Sequence, residues 1–279
     1  MPKFGAHVSI AGGIDQSVDR AKERNCDTFQ IFTRNPRGWA SKELIDSEIS
    51  SFIQKVKDYN MSPTVVHMPY LPNLSSPDDL IYEKSVSTFF DDFKRCDVLQ
   101  IDYLVIHLGS HMGSGKENGL KKLVGAFNTI LNSSSKTVKL LLEITAGQKN
   151  SMGSSFEDLD LILKELNNDQ VGVCFDTCHA FAAGYDLRTY DDVDDVVKKF
   201  DEIIGLNKLK LLHLNDSRGD LNSGSDRHEH IGLGKIGDGG FRSITTHEYL
   251  KNIPGILETP VDDRRDDLGN LSKIRSLSE

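Results

Sequence analysis

Short apolar runs and longer amphipathic stretches alternate along the chain from end to end. Six of the runs close on a side chain that binds metals: 64–66 before His67, 103–106 before His107, 139–142 before Glu143, 171–175 before Asp176, 209–212 before His213 and 255–257 before Glu258. Each reads as a buried strand with a polar group at its C-terminal tip. His7 and Thr33 mark two further tips, and successive tips are separated by roughly 25 to 45 residues, enough for one strand and a returning helix. Between them run helical patterns: Ile45, Ile49, Phe52, Ile53 and Val56; Leu120, Leu123, Val124, Phe127 and Leu131; Val193, Val196, Val197, Phe200, Ile203 and Ile204, with Gly205 as the C-terminal stop. Ser154 and Ser155 are candidate caps for a helix with Phe156, Leu159, Ile162, Leu163 and Leu166 inside, and Leu268, Leu271, Ile274 and Leu277 predict the last helix.

Strict strand-helix alternation with continuously apolar strands implies an α/β fold whose parallel sheet is buried on both faces. Eight such units predict a (β/α)8 TIM barrel, one domain over residues 1–279, with the active site at the C-terminal ends of the strands. The chemically equipped tips lie at that end. The segment from 214 to about 239 is long and rich in Gly, Asp and Arg, the composition of a functional loop.

Composition narrows the class. Hydrophobic residues make up 38% and charged residues 27%, as in a soluble globular protein with a full core, and no apolar stretch approaches the roughly 20 residues of a membrane span. The N-terminus runs directly into an apolar alternation without a signal-like core, so an intracellular, cytoplasmic protein is expected. Cys26, Cys96, Cys174 and Cys178 form no CxxC pair and read as small buried hydrophobes. A formal net charge of −9 argues against nucleic-acid binding by bulk attraction alone; a DNA role needs local basic groups or bound cations.

The tip residues call for protonation or for bound cations. Glu143, Asp176 and Glu258, with Asp226 from the long loop, crowd one barrel mouth. Two carboxylates about 4 Å apart repel by roughly 4 kcal/mol at an effective dielectric near 20, a large fraction of the roughly 5 to 15 kcal/mol that holds a protein folded. His67, His107 and His213 accompany them, with His179 three residues after Asp176 and His228 two after Asp226. Mixed imidazole and carboxylate donors suit zinc, with manganese or iron as alternatives, and disfavour magnesium and calcium. Nine donors exceed the needs of one or two tetrahedral ions and, with bridging carboxylates, suit three. Any one of these residues alone reads more readily as a satisfied polar group; six tips in chain order do not. His7, His111 and His230 are expected to line the pocket behind the donors, and His247 to lie on a helix surface.

Motifs spread over nearly the whole chain resemble the endonuclease IV family of apurinic/apyrimidinic endonucleases. They are Gly5 to Ser9 with Ala11 to Gly13, Phe32 to Trp39, His107 to His111, FDTCHAFAAGYD at 175–186, HLNDS at 213–217, DRHEHIGLGKIG at 226–237 and ILETP at 256–260. The resemblance implies a zinc barrel in which His67, His107 and Glu143 hold one ion. Glu143 bridges to a second with Asp176, His213 and Glu258, while His179, Asp226 and His228 hold the third. It implies hydrolysis of the phosphodiester 5′ to an abasic site, leaving a 3′-hydroxyl and a 5′-deoxyribose phosphate, with 3′-end trimming besides. The substrate would be double-stranded DNA carrying abasic sites or blocked 3′ ends, met by a monomer with no obligate protein partner. Glu143 becomes the catalytic residue, and Arg37, Tyr70 and Leu71, supported by Asn35, the DNA-contacting set; Trp39, Asn215, Arg227 and Lys235 are weaker candidates. Two alternatives remain on the residues alone. A single-metal sugar isomerase or epimerase needs only a set such as Glu143, Asp176, His213 and Glu258, and a lesion-binding protein could keep the barrel without the reaction.

Overall fold

The computed structural model describes residues 2–132 and 137–279. Its first half runs β1 (Phe4–Ala6), α1 (Gln16–Glu23), β2 (Phe29–Ile31), α2 (Asp46–Asp58), β3 (Thr64–His67), α3 (Asp79–Val98), β4 (Tyr103–His107) and α4 (Lys116–Leu131). The second half runs β5 (Lys139–Glu143), α5 (Phe156–Leu166), β6 (Val171–Asp176), α6 (Thr177–Ala182), α7 (Tyr190–Ile203), β7 (Leu209–His213), β8 (Asp216–Ser217), β9 (His228–Glu229), α8 (Gly237–Thr246), β10 (Gly255–Leu257) and α9 (Asp267–Leu277).

Eight strands form one parallel sheet in the order β1-β10-β7-β6-β5-β4-β3-β2. The ends meet where His7 bridges Gln30 in parallel and the Val8 amide donates to the Gln30 carbonyl at 2.8 Å, which closes the barrel. β1 presses so near β2 there that a Cβ on Gly5 would lie 1.7 Å from the Thr28 carbonyl oxygen, so only glycine fits. The TIM-barrel expectation is met.

Alternation along the strands sets what the barrel contains. Leu140 and Leu142 on β5 face the helices, in the large core between sheet and helices; Leu141 points inward with Val65, Val105, Cys174, Leu211 and Ile256, which pack together as an apolar plug. Two residues beyond each plug residue, hence on the same inner face and one layer higher, stand His67, His107, Glu143, Asp176, His213 and Glu258.

Three departures from the sequence reading have simple causes. β2 ends at Ile31, so Thr33 lies past the tip and turns its hydroxyl to Asp92 on α3, at 2.6 Å. The helix count among the described residues is nine, because α6 starts directly on Asp176, whose carboxylate caps it by accepting from the His179 amide at 2.8 Å. His247 is buried, 1% exposed, with Nε2 3.3 Å from Asp194 and its ring near Tyr190 and Tyr249; the start of α7 covers the place where solvent was expected. The expected caps and stops are present: Ser155 accepts from the Asp158 amide, and Gly205 follows α7 at φ 93°. All four cysteines are buried and free.

Candidate metal centre

Glu143 is the hub of the barrel mouth. It is fully buried, and its two oxygens face different partners: Oε2 lies 3.0 Å from His67 Nε2 and 3.3 Å from His107 Nδ1, Oε1 lies 2.8 Å from His213 Nδ1 and 3.6 Å from His179 Nδ1. His213 Nδ1 is also 3.3 Å from Glu258 Oε2 and 3.8 Å from Asp176 Oδ2. On the far side, Asp226 Oδ1 sits 3.1 Å from His179 Nε2 and 3.5 Å from His228 Nε2.

Local structure delivers each donor. β3, β4, β5, β6 and β7 end on theirs, and Glu258 follows β10. His179 arrives because α6 begins on Asp176, which places the ring one helical turn above it. Asp226 and His228 arrive on the two-stranded antiparallel hairpin of β8 and β9, which orders the long loop after β7. Asp216 fixes the rest of that loop by accepting from the amides of Ser217, Gly232, Gly234 and Ile236 at 2.8 to 3.0 Å.

The imidazoles are oriented for ligation. His67 Nδ1 faces the Met68 carbonyl at 2.6 Å, His179 Nδ1 the Ile144 carbonyl at 2.9 Å and His228 Nδ1 the Glu258 carbonyl at 3.1 Å. A carbonyl only accepts, so each Nδ1 carries hydrogen and each Nε2 turns toward the carboxylates. His213 uses its other face: Nε2 donates to Gln30 Oε1 at 2.9 Å, which leaves Nδ1 for Glu143. A neutral imidazole's lone pair aimed at a carboxylate oxygen repels it; a proton or a cation between them removes the repulsion. His228 Nε2 is buried with no hydrogen-bond partner among the described residues, so there a cation fits better than a proton.

Charge follows the same logic. Burial alone pushes the Glu143 carboxyl up, but His107 and His213, with hydrogen bonds from His213 and His67, hold it well below the usual carboxylate range. Burial likewise raises Glu258 and Asp226, and the neighbouring histidines bring each down to about 2. Desolvation lowers His107 to about 4, whereas at His179 the carboxylates of Asp176, Asp226 and Glu143 outweigh burial and raise it to about 10. The mouth is a set of ionised carboxylates that needs positive charge, by protons or by metal.

Donor atoms gather within 4.8 Å of one another as His67, His107 and Glu143; as Glu143, Asp176, His213 and Glu258; and as His179, Asp226 and His228. Glu143 belongs to two of these groups. His67, His213 and Glu258 form a further overlapping set, as do Asp176, Cys178 and His228. Burial pushes the Cys178 thiol up, which keeps it protonated and a poor ligand. The mixed nitrogen and oxygen donors fit divalent transition-type cations.

The remaining expected residues divide. His7 stands behind the donors, its Nδ1 3.8 Å from Glu258 Oε1 and its ring on Phe32. His111 lies in the loop before α4, where its Nδ1 accepts from the Gly113 and Gly115 amides, and His230 binds Asp262 and Asn270; neither joins a donor group. Tyr70 is 65% exposed with its ring 5.9 Å from that of His107 and 6.1 Å from that of His67, so it overhangs the site, and Leu71 beside it is exposed. Arg37 and Asn35 are exposed on the loop after β2, where Asn35 Oδ1 accepts from the Arg37 amide at 3.1 Å. Arg227 and Lys235 are exposed, Lys235 pairing with Asp220. Asn215 is buried within the site, donating to Asp176 Oδ2 at 2.7 Å and accepting from the Glu258 amide at 2.8 Å.

Gln30 was not singled out in the sequence. Its carboxamide accepts from His213, donates to Glu258 Oε1 at 2.6 Å and meets His7 Nδ1 at 3.0 Å, so one side chain orients three. The available signal was a polar residue between Phe29 and Ile31, on the inward-facing position of β2.

A (β/α)8 barrel with imidazoles and carboxylates gathered over an apolar plug defines the class: a barrel enzyme with a metal-binding mouth. A family described as a xylose isomerase-like TIM barrel matches residues 18–276. The chain is 52% identical to a probable endonuclease 4 of Methanoculleus marisnigri, over 100% of this chain and 99% of that one. It is 50% identical to a probable endonuclease 4 of Nitrosopumilus maritimus, over 99% and 100%. The crystal structure of endonuclease IV from Thermus thermophilus superposes with a TM-score of 0.89 at 34% identity, over 99% of this chain and 98% of that one. The chain therefore belongs to the endonuclease 4 family and is a nuclease.

Proposed function

We propose that this protein is a DNA repair endonuclease that hydrolyses the phosphodiester 5′ to an abasic site in duplex DNA, leaving a 3′-hydroxyl and a 5′-deoxyribose phosphate, and that it also trims blocked 3′ ends. Nine residues hold three zinc ions in this reading, with manganese or iron as substitutes: His67, His107 and Glu143; Glu143, Asp176, His213 and Glu258; and His179, Asp226 and His228. The observation that carries it is Glu143, whose two oxygens address separate donor groups, while His67, His107, His179, Asp226 and His228 are surplus to a one-metal set of Glu143, Asp176, His213 and Glu258.

Bound ions of this kind acidify water and neutralise charge building on phosphate oxygens. The chain's residues do the rest. Glu143, kept ionised by its histidines, accepts the hydrogen of the attacking water and aims it. Asn215 and Gln30 hold Asp176 and Glu258 against rotation. Tyr70 and Leu71, exposed beside the mouth, suit wedging into the duplex, and Arg37 suits the phosphate backbone. An abasic nucleotide has no base to unstack, so it turns out of the duplex at less cost than an intact one. We infer a monomer that acts without an obligate partner.

The test is a duplex with one abasic site, incubated with purified protein before and after prolonged chelation, with the cut mapped at nucleotide level and metal counted. About three zinc ions per chain and a chelator-sensitive cut 5′ to the lesion are expected. One manganese per chain with sugar epimerisation, or tight lesion binding without a cut in zinc-replete protein, would overturn the reading.

A further inference from the structure

Fourteen residues, 32–45, join β2 to α2 through turns and bends without helix or strand. Connections of this length in compact domains are usually functional or disordered. This one is fastened from beneath by charge. Asp92 on α3 is fully buried, and its Oδ1 accepts from Thr33 Oγ1 at 2.6 Å and from Arg34 Nε at 2.8 Å. Arg34, only 3% exposed, donates through Nη1 to the Trp39 carbonyl at 3.1 Å. Arg95, nearly one turn further along α3, donates through Nη2 to the Thr33 carbonyl at 2.6 Å and through Nη1 to the Lys42 carbonyl at 2.8 Å. Backbone carbonyls at positions 33, 39 and 42 are thus held by two guanidinium groups, the side chain whose fork of donors suits several acceptors at once.

What the fastening presents is the opposite of what it buries. Arg37 stands exposed on the tip with no side-chain hydrogen bond or ion pair among the described residues, and Trp39 is 37% exposed. An apolar anchor could not satisfy the loop's carbonyls, and a loop without anchors would have to be ordered by its ligand.

We propose that Arg34, Asp92 and Arg95 are positioning residues that pre-order this loop for duplex DNA, so that they set how tightly the lesion duplex is held and leave the speed of bond cleavage alone. The inference rests on the DNA-cleaving reading above. It involves none of the nine metal-donor residues.

The test uses the zinc-loaded full chain, single-turnover cleavage of a labelled abasic duplex, and the emission of Trp39, the only tryptophan of the sequence. For Arg95→Met the half-saturating protein concentration rises about tenfold or more while the saturating rate stays within about twofold. Zinc content is unchanged, and Trp39 emission of the free protein shifts to the red. Arg95→Lys keeps the charge but has one compact head for two carbonyls, and falls between Met and wild type; it carries the test should Arg95→Met not fold. Wild-type half-saturation in a folded Arg95→Met, or a lost saturating rate with unchanged half-saturation, overturns the clamp. Wild-type protein that neither binds nor cuts the duplex overturns the DNA reading, and the clamp's role with it; an active wild type beside an unaffected variant overturns the clamp alone.

Discussion

Along six strands the barrel interior changes character within two residues: Val65 gives way to His67, Val105 to His107, Leu141 to Glu143, Cys174 to Asp176, Leu211 to His213 and Ile256 to Glu258. The two layers are roughly 7 Å apart on the same backbone. The lower one is apolar and its side chains pack on one another, with the Cys174 thiol hydrogen-bonded to His213 above. The upper one is not complete in itself, because carboxylates held ionised at close quarters repel unless protons or cations stand between them. A barrel can carry such a layer because its stability is generated elsewhere, in the plug and in the core between strands and helices. Function and stability are therefore separable along a single strand, and β5 is the place to separate them.

The largest effect is expected at Glu143. Glu143→Gln keeps size but turns one of two accepting oxygens into an amide donor and removes the charge that faces His67 and His107 on one oxygen and His213 on the other. Cleavage in single turnover falls by about a thousandfold or more while far-ultraviolet circular dichroism stays that of the barrel. Near wild-type nicking by purified Glu143→Gln would dissolve the distinction between the layers at this strand.

Two residues earlier the outcome reverses. Leu141 is fully buried in the plug, and Leu141→Ala destabilises the fold by about 2 to 5 kcal/mol in denaturant melts. The fraction that remains folded cuts at a rate near that of wild type. A variant that melts normally but cuts slowly would mean the plug tunes chemistry and does not merely support it.

The layering was legible in the sequence because period two is a property of strands and because ligand side chains are conspicuous after apolar runs. Less legible was anything decided by a neighbour distant in sequence. α6 is only six residues long, too short for a helical pattern, and exists because Asp176 doubles as its cap. His247 lies on the buried side because α7 packs there, through Asp194 and Tyr190. Arg34 reads as one more charge in a polar loop until Asp92, 58 positions away, stands against it. Gln30 belongs with these: its importance comes from Glu258, 228 positions on, and from His213, 183 positions on.

Gln30 also marks where the two layers meet solvent-free support. Gln30→Met fills the same space but removes the acceptor for His213 and the donor for Glu258, and metal affinity, measured by competition with a chromophoric chelator, drops about 10- to 100-fold. Gln30→Glu does not rescue it, because a carboxylate then faces Glu258 Oε1 from the position that now donates at 2.6 Å. Rescue by Glu would show that only the His213 contact matters.

The smallest effect separates histidines within the upper layer. In metal-free protein burial pushes His179 down, but Asp176, Asp226 and Glu143 outweigh it and raise it to about 10, so at pH 7 it holds a proton. Its raised value adds stability that is fully present below the ordinary imidazole value near 6.5 and is lost as pH climbs through about 10. His107, lowered to about 4, is already neutral at pH 7. Ligation requires neutral imidazole, so zinc loading at pH 7 releases a proton from His179, adds those of His213 and His67, which their neighbours also raise against burial, and draws none from His107. Calorimetric titration of chelated protein in two buffers of different ionisation enthalpy reads the summed release, which should fade as the titration is repeated toward pH 10. Heats independent of buffer at pH 7 would mean that His179 and its raised neighbours are neutral before the ions arrive, and that the carboxylates around them are balanced by something other than their protons.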